Sequence, residues 1–207
     1  MAIEILIDGA DMSGKTTTIN EFIRGCEKPY EVRHLRLSTY NPVHLFARQK
    51  RKEYNHDFNR ELASLYQAAI IADLRFFELE KHEVPIIQDS IIATRCFADY
   101  FAIGRYDIAD EFDVLLSKYP KPKHSFYFTT AMTERSRRLE KRIREQPESI
   151  TPTDLFIHTE PKRFERLEEA TRNASIKHFN SVVIDNTEMS VQNVVDKIIE
   201  QILLVRE

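Results

Sequence analysis

The sequence predicts an α/β fold with a mostly parallel sheet and crossover helices, and two observations carry the expectation. Short apolar runs of strand length alternate with longer segments of helical pattern, the arrangement that joins parallel strands through helices. The first apolar run passes directly into Gly9-Ala10-Asp11-Met12-Ser13-Gly14-Lys15-Thr16, a G-x-x-x-x-G-K-T loop, and the loop passes directly into a helical segment. A strand-loop-helix context turns this short pattern into a nucleoside triphosphate site.

The elements follow in order. The apolar runs Ala2–Ile7, Glu31–Leu37, Val84–Gln88, Ser125–Phe128 and Ser181–Asp185 read as five strands. Between them the pattern predicts helices over Lys15–Arg24, Asn59–His82, Asp107–Lys118, Met132–Gln146 and Pro161–Ala174, with a last one at Ser190–Val205. Gln146 to Thr153 carries two prolines and no clear period, so it reads as a loop able to fold over a site. In open parallel sheets ligands gather beyond the carboxyl ends of the strands. That rule directs attention to 9–16, 38–42, 89–95, 129–133 and 185–187.

Composition narrows the class. A chain of 207 residues, 42% hydrophobic, can bury a sizeable core as one domain. Its formal charge of −3 supplies no global basic field for a nucleic acid polymer or a membrane surface. Cys26 and Cys96 are too few for a disulfide framework or a metal site, which fits a reducing compartment. The N-terminal apolar run is short and has no basic segment before it, and no stretch approaches transmembrane length. These features predict a soluble, cytoplasmic protein.

The loop residues have defined chemistry. Of only four glycines, Gly9 and Gly14 fall where the backbone must curl so that its N–H groups face phosphate oxygens. Met12, Ser13, Gly14 and Thr17 contribute to that cradle, Lys15 reaches the β- and γ-phosphates, and the Thr16 hydroxyl meets Mg²⁺. Asp89 ends an apolar strand, placed to hold the metal or to accept a proton; its plainer reading is a turn cap. Arg95 can clamp a phosphate or a substrate oxygen, or be a solvated charge. Arg138 and Arg142 lie four apart in a segment rich in positive charge. They suit either a closing lid or a surface helix with mixed charge pairs. Gln67 interrupts an apolar stripe, where it can read a base edge or bond nearby backbone, and Tyr66, Phe46 and Phe97 are candidate stacking rings.

With these residues in place, the chain resembles the thymidylate kinase and deoxynucleoside kinase group of P-loop kinases. Ile7-Asp8-Gly9-Ala10-Asp11-Met12-Ser13-Gly14-Lys15-Thr16-Thr17 is similar to the thymidylate kinase loop, including its internal acidic residue. The resemblance implies that Asp11 contacts a sugar hydroxyl of the acceptor and that Asp89 occupies the family's Asp-Arg-Tyr position, here followed by Ser90. The family's Arg-Glu-Pro-Gly is replaced by Ser38-Thr39-Tyr40-Asn41-Pro42, so two acceptor-phosphate arginines are missing, a gap that Arg95 is expected to fill. Leu65-Tyr66-Gln67 and Ser90-x-x-x-Thr94-Arg95 resemble deoxynucleoside kinases, whose Gln reads the base. No Glu stands between Leu37 and Arg48 to match their base. Arg138-x-x-x-Arg142 resembles the lid arginines, and Asn186 falls in the adenine-binding loop.

The resemblance implies a three-layer P-loop NTPase fold with a five-stranded parallel sheet and a helical lid at about 135–153. It further implies ATP and Mg²⁺ as cofactors, a nucleotide or nucleoside as acceptor, and a homodimer. The alternatives are a deoxynucleoside kinase, a kinase of another small alcohol, or a nucleotide-switch module. Against a GTPase switch, the chain has no Asn-Lys-x-Asp motif.

Overall fold

A computed structural model describes residues 3–34, 41–54, 57–79 and 84–204. The chain runs β1 (Ile3–Asp8), α1 (Lys15–Arg24), β2 (Glu31–His34), α2 (Pro42–Glu53), α3 (Arg60–Leu79), β3 (Ile86–Asp89), α4 (Ile92–Ala102) and α5 (Tyr106–Leu116). It continues through β4 (His124–Thr129), α6 (Met132–Glu145), α7 (Phe156–Thr159), α8 (Pro161–Phe179), β5 (Val182–Asp185) and α9 (Val191–Leu204). The expected strand ends at 35–37, the loop at 38–40 and the helix end at 80–82 lie outside the described residues.

The sheet is five-stranded and parallel throughout, in the order β2-β3-β1-β4-β5. β1 sits at its centre, and the chain leaves β1 to either side, so the crevice between β1 and β3 is the switch point where ligands bind. The register delivers the site: Ile7 pairs with Asp89, and Asp89 pairs with His34 on the next strand.

Each face of the sheet carries its own core. Ile5, Ile7, Ile87, Phe126 and Phe128 pack with Ile19 and Phe22 of α1 and Val194 and Ile198 of α9. Ile3, Leu6 and Ile86 face the other way, onto Tyr66 and Ile70 of α3, Ile92 and Tyr100 of α4, and Phe112 of α5. A register irregularity between Ile3 and Ile5 puts Ile3 on the Leu6 side in spite of its odd number. Each such side chain contributes roughly 1.5–3 kcal/mol by leaving water, so β1 is fixed firmly at the root of the loop that follows it.

Four helices depart from the sequence expectation, among them the short α7, which stands where none is predicted. α2 and α4 fall where no helix is predicted, and α8 runs on to Phe179 instead of stopping at Ala174. α2 buries only His44 and Ala47, so it has no apolar stripe. α4 has the opposite character, because eight of its residues are buried, among them Thr94 and Asp99, and its period is obscured. No helix among the described residues is long and apolar enough to cross a membrane.

Candidate active site

Gly9 has φ 151° and would place a Cβ 2.7 Å from the carbonyl oxygen of Phe128, so the loop leaves β1 where only glycine fits. Gly14, at φ 85°, precedes α1, and no side chain caps that helix. Its first N–H groups are therefore available to an anion. Lys15 Nζ arches back over the loop, donating to the carbonyls of Gly9 at 2.6 Å and Ala10 at 3.2 Å.

Beside the loop, Thr16 Oγ1 donates to Asp89 Oδ2 at 3.2 Å, and His34 Nδ1 lies 2.8 Å from the same oxygen. Burial works to raise the pKa of Asp89. The His34 hydrogen bond, the Lys15 charge and the Thr16 hydroxyl overcome it and hold the carboxyl below its ordinary value. Asp8, which accepts the Gly9 N–H at 2.8 Å, goes the other way: its complete burial outweighs the Lys15 charge and raises its pKa. The environments of these two carboxyls thus shift them in opposite directions, Asp8 up and Asp89 down. Thr16 and Asp89 are hard oxygen donors and fit Mg²⁺, an ion held by one or two protein oxygens together with substrate phosphates.

A cavity of about 860 Å³ opens from this point. One wall is a chain of ion pairs. Arg95 of α4 meets Asp11 at 3.0 Å and Asp99 at 3.4 Å, and Asp99 meets Arg51 of α2 at 3.1 Å. Burial disfavours a charged Arg95, but the two carboxylates reverse that and raise its pKa. Beneath the loop, the wholly buried Arg135 donates to the carbonyls of Thr130 and Asp11 and pairs with Glu168. Both the side chain and the carbonyl of Asp11 are therefore held by arginines.

The opposite wall comes from α6. Arg138 pairs with Glu134 at 2.8 Å and donates to the carbonyl of Met12 at 3.2 Å, so it lies across the phosphate loop. Arg142 donates from Nε to Ser149 Oγ at 2.8 Å, which ties α6 to the segment after it. Met12, Ser13, Gly14 and Thr17 also line the cavity, as do Thr151, Pro152 and Thr153.

The structure therefore gathers Gly9, Asp11, Lys15, Thr16, Tyr66, Asp89, Arg95, Arg138 and Arg142 around one space. Four expected residues stand elsewhere: the candidate rings Phe46, which is exposed, and Phe97, which packs against Phe101, together with Gln67 and Asn186. Gln67 is off the cavity wall and donates to Glu111 of α5 at 2.6 Å. Adjacent residues on a helix point about 100° apart, so a wall position for Tyr66 turns Gln67 away. Asn186 is buried and braces the loop from outside the cavity, donating from Nδ2 to the Ser13 carbonyl at 2.7 Å. Arg95, expected at an acceptor phosphate, is paired with two carboxylates instead.

Sequence reasoning missed the contribution of α2. His44, Arg48, Arg51 and Lys52 all line the cavity. The signal was present as spacing, since 44, 48 and 51/52 fall on one helical face, and Asn41 and Pro42 supply a helix start, with Asn41 accepting from the His44 N–H at 3.0 Å. His34 was missed too; only the register of β2 against β3 brings it to Asp89.

No protein-family model and no curated protein sequence matches the chain. Among solved structures, thymidylate kinase from Candida albicans matches with a TM-score of 0.68 at 18% identity, over 99% of this chain and 93% of that one. Deoxyadenosine kinase from M. mycoides, with dCMP and a flexible dCDP bound, matches with a TM-score of 0.60 at 14% identity, over 97% and 98%. The same enzyme with dATP bound gives a TM-score of 0.58 at 16% identity, over 96% and 98%. The chain has the fold of the thymidylate kinase and deoxynucleoside kinase group, carried by a divergent sequence.

Proposed function

We propose that this protein is an ATP-dependent kinase that transfers the γ-phosphoryl group to a nucleoside monophosphate, in the manner of thymidylate kinases. The observation that carries the reading is the convergence of the Lys15 loop, the Thr16–Asp89 pair and Arg138 on one cavity. Phosphoryl transfer needs positioned positive charge on the moving oxygens and little covalent help from the protein, and this set supplies it.

In this reading Lys15 leaves the Gly9 and Ala10 carbonyls for the β- and γ-phosphates, while the loop N–H groups hold the remaining oxygens. Mg²⁺, when bound, neutralises charge on the donor phosphates. Thr16 and Asp89 are the residues that would hold it, and Asp89 also stands where it can take the acceptor's proton. Arg138 and Arg142 act as lid arginines that engage the transferring group. Asp11 and Tyr66 form the acceptor side. Asn186 braces the loop beside the donor.

One observation favours an unphosphorylated deoxynucleoside instead. Arg95, the arginine nearest the missing Asp-Arg-Tyr position, is held by Asp11 and Asp99.

A coupled ADP-release assay across nucleosides, their 5′-monophosphates and small alcohols tests the proposal. It expects release that depends on a nucleotide acceptor. Hydrolysis indifferent to any acceptor points to a switch, and turnover of small alcohols alone points to a metabolite kinase.

A further inference from the structure

We infer that Arg135 is a positioning residue for the donor's phosphates. From behind the phosphate loop it aims a loop N–H group at the cavity, and Asn186 does the same two peptide units further along. The inference rests on the nucleoside triphosphate donor of the reading above and adds to it two residues that stand off the cavity wall.

A trans peptide unit points its carbonyl and its N–H in opposite directions. A side chain that holds a loop carbonyl from behind therefore turns the next N–H to the front. Arg135 Nη1 donates to the carbonyl of Asp11, and Asn186 Nδ2 donates to the carbonyl of Ser13 at 2.7 Å. Neither residue lines the cavity, whereas Met12, Ser13 and Gly14 do. The N–H groups of Met12 and Gly14 are thereby directed to the cavity side. Among the described residues no carbonyl or side chain takes the N–H of Met12, Ser13 or Gly14, and the buried Ser13 hydroxyl has no partner either. Phosphate oxygens are the acceptors that such a set of converging donors fits.

The two holding side chains are themselves fixed. Arg135 is wholly buried, and its guanidinium serves three elements. Nε donates to the Thr130 carbonyl at 2.8 Å, Nη2 pairs with Glu168 of α8, and Nη1 is directed to the loop. Glu168 also accepts the Thr129 hydroxyl at 3.0 Å, and the Phe164 ring lies 5.4 Å from Arg135 Cζ. Asn186 accepts the Thr130 hydroxyl on Oδ1 and donates its own N–H to the Thr129 carbonyl at 3.0 Å. The plainer reading, an ion pair that only joins α6 to α8, leaves the bond from Nη1 to Asp11 unexplained. The loop backbone shows what is being held: Met12 has φ 60°. That left-handed conformation is disfavoured for a residue with a Cβ and persists where its surroundings over-determine it. Arg138, one turn after Arg135, takes the Met12 carbonyl at 3.2 Å, so three successive loop carbonyls each have a side-chain donor.

The test is calorimetric titration with ATP and with inorganic tripolyphosphate, a probe that carries no base or sugar. It compares wild type with Asn186→Asp, Arg135→Lys and a paired variant, Arg135→Met with Glu168→Gln. The pair is changed together so that no buried charge is left alone, and urea unfolding checks each fold. Wild type should bind both probes. The paired variant and Asn186→Asp should each bind both roughly ten- to hundredfold more weakly, the scale of a lost bond to a charged group, and Arg135→Lys should lose less. Amide NMR supplies a readout that general loosening of the fold would not give. Tripolyphosphate should shift the Met12 and Gly14 amides of wild type; the Met12 shift should shrink in the Arg135 variants and the Gly14 shift in Asn186→Asp. Losses confined to ATP, or amide shifts that shrink alike across the loop in every variant, overturn the assignment. Unchanged affinity in the variants overturns it and leaves the kinase reading standing, whereas wild type that binds neither probe overturns both. If the paired variant does not fold, Arg135→Lys decides, and full wild-type affinity for tripolyphosphate in that variant overturns the role of Arg135.

Discussion

Arg95 Nη2 lies 3.0 Å from Asp11 Oδ2, and this ion pair ties α4 to the phosphate loop. A carboxylate inside such a loop stands close to the donor's phosphates. At an effective dielectric of about 20, two like charges roughly 5 Å apart repel by about 3 kcal/mol. The guanidinium cancels that repulsion without any help from an acceptor hydroxyl, so the acidic residue is compatible with tight donor binding. Arg95→Met should therefore weaken ATP binding about ten- to hundredfold, and adding Asp11→Asn should recover most of it. Calorimetric titration of both variants and the double variant checks the coupling; losses that simply add contradict it.

Lys15→Ala should leave less than about a tenth of wild-type turnover, because loop N–H groups cannot supply a mobile charge to the γ-phosphate. Asp89→Asn should keep ATP affinity within a few-fold and cut turnover by roughly a hundredfold, since the amide neither accepts a proton nor balances a metal. Steady-state rates with nucleotide binding measured separately distinguish the two outcomes. Near-normal turnover of the Asp89 variant would return that residue to a structural role beside His34 and Thr16.

Arg138 is held by Glu134 and the Met12 carbonyl, and Arg142 by Ser149. Arg138→Ala and Arg142→Ala should each lower kcat more than they weaken ATP binding, because lid charges act most strongly once the transferring group is enclosed. Equal loss of ATP and ADP affinity at unchanged saturating rate marks the segment as a binding surface only.

His44 sets a pH dependence. Burial first, then the Arg48 and Arg51 charges, lower its pKa from 6.5 to about 4. The unfolded chain therefore binds this proton more readily than the folded one. Its contribution to stability is complete above pH 6.5 and is lost as pH falls toward 4, amounting to about 2 kcal/mol by pH 5. Urea unfolding of wild type and His44→Gln at pH 7.5 and pH 5 measures it. The wild type should lose more between the two pH values than the variant, and parallel losses contradict the assignment.

The parallel sheet and the phosphate loop were legible because each rests on local pattern: apolar runs such as Ile3–Ile7, and glycines at the two ends of the loop. α2 was not, since Leu45 and Phe46 stay exposed and its business face is basic, leaving no apolar stripe to find. α4 was hidden by being buried nearly all round. Gln67 and Tyr66 show the limit of reading single positions: which neighbour faces the cavity is fixed by the rotation of α3 against α2 and α5, a tertiary choice. Likewise the Arg95–Asp11 pair joins residues 84 apart in sequence, and only the packing of α4 beside the loop brings them together.

The most direct test of the kinase reading follows the phosphoryl group itself. Wild-type protein is incubated with Mg²⁺, ATP labelled in the γ-phosphate and a mixture of nucleoside 5′-monophosphates, and the products are separated. The account predicts label in a nucleoside diphosphate, formed by Lys15→Ala at less than about a tenth of the wild-type rate. Label found only in inorganic phosphate, or remaining in ATP, contradicts it.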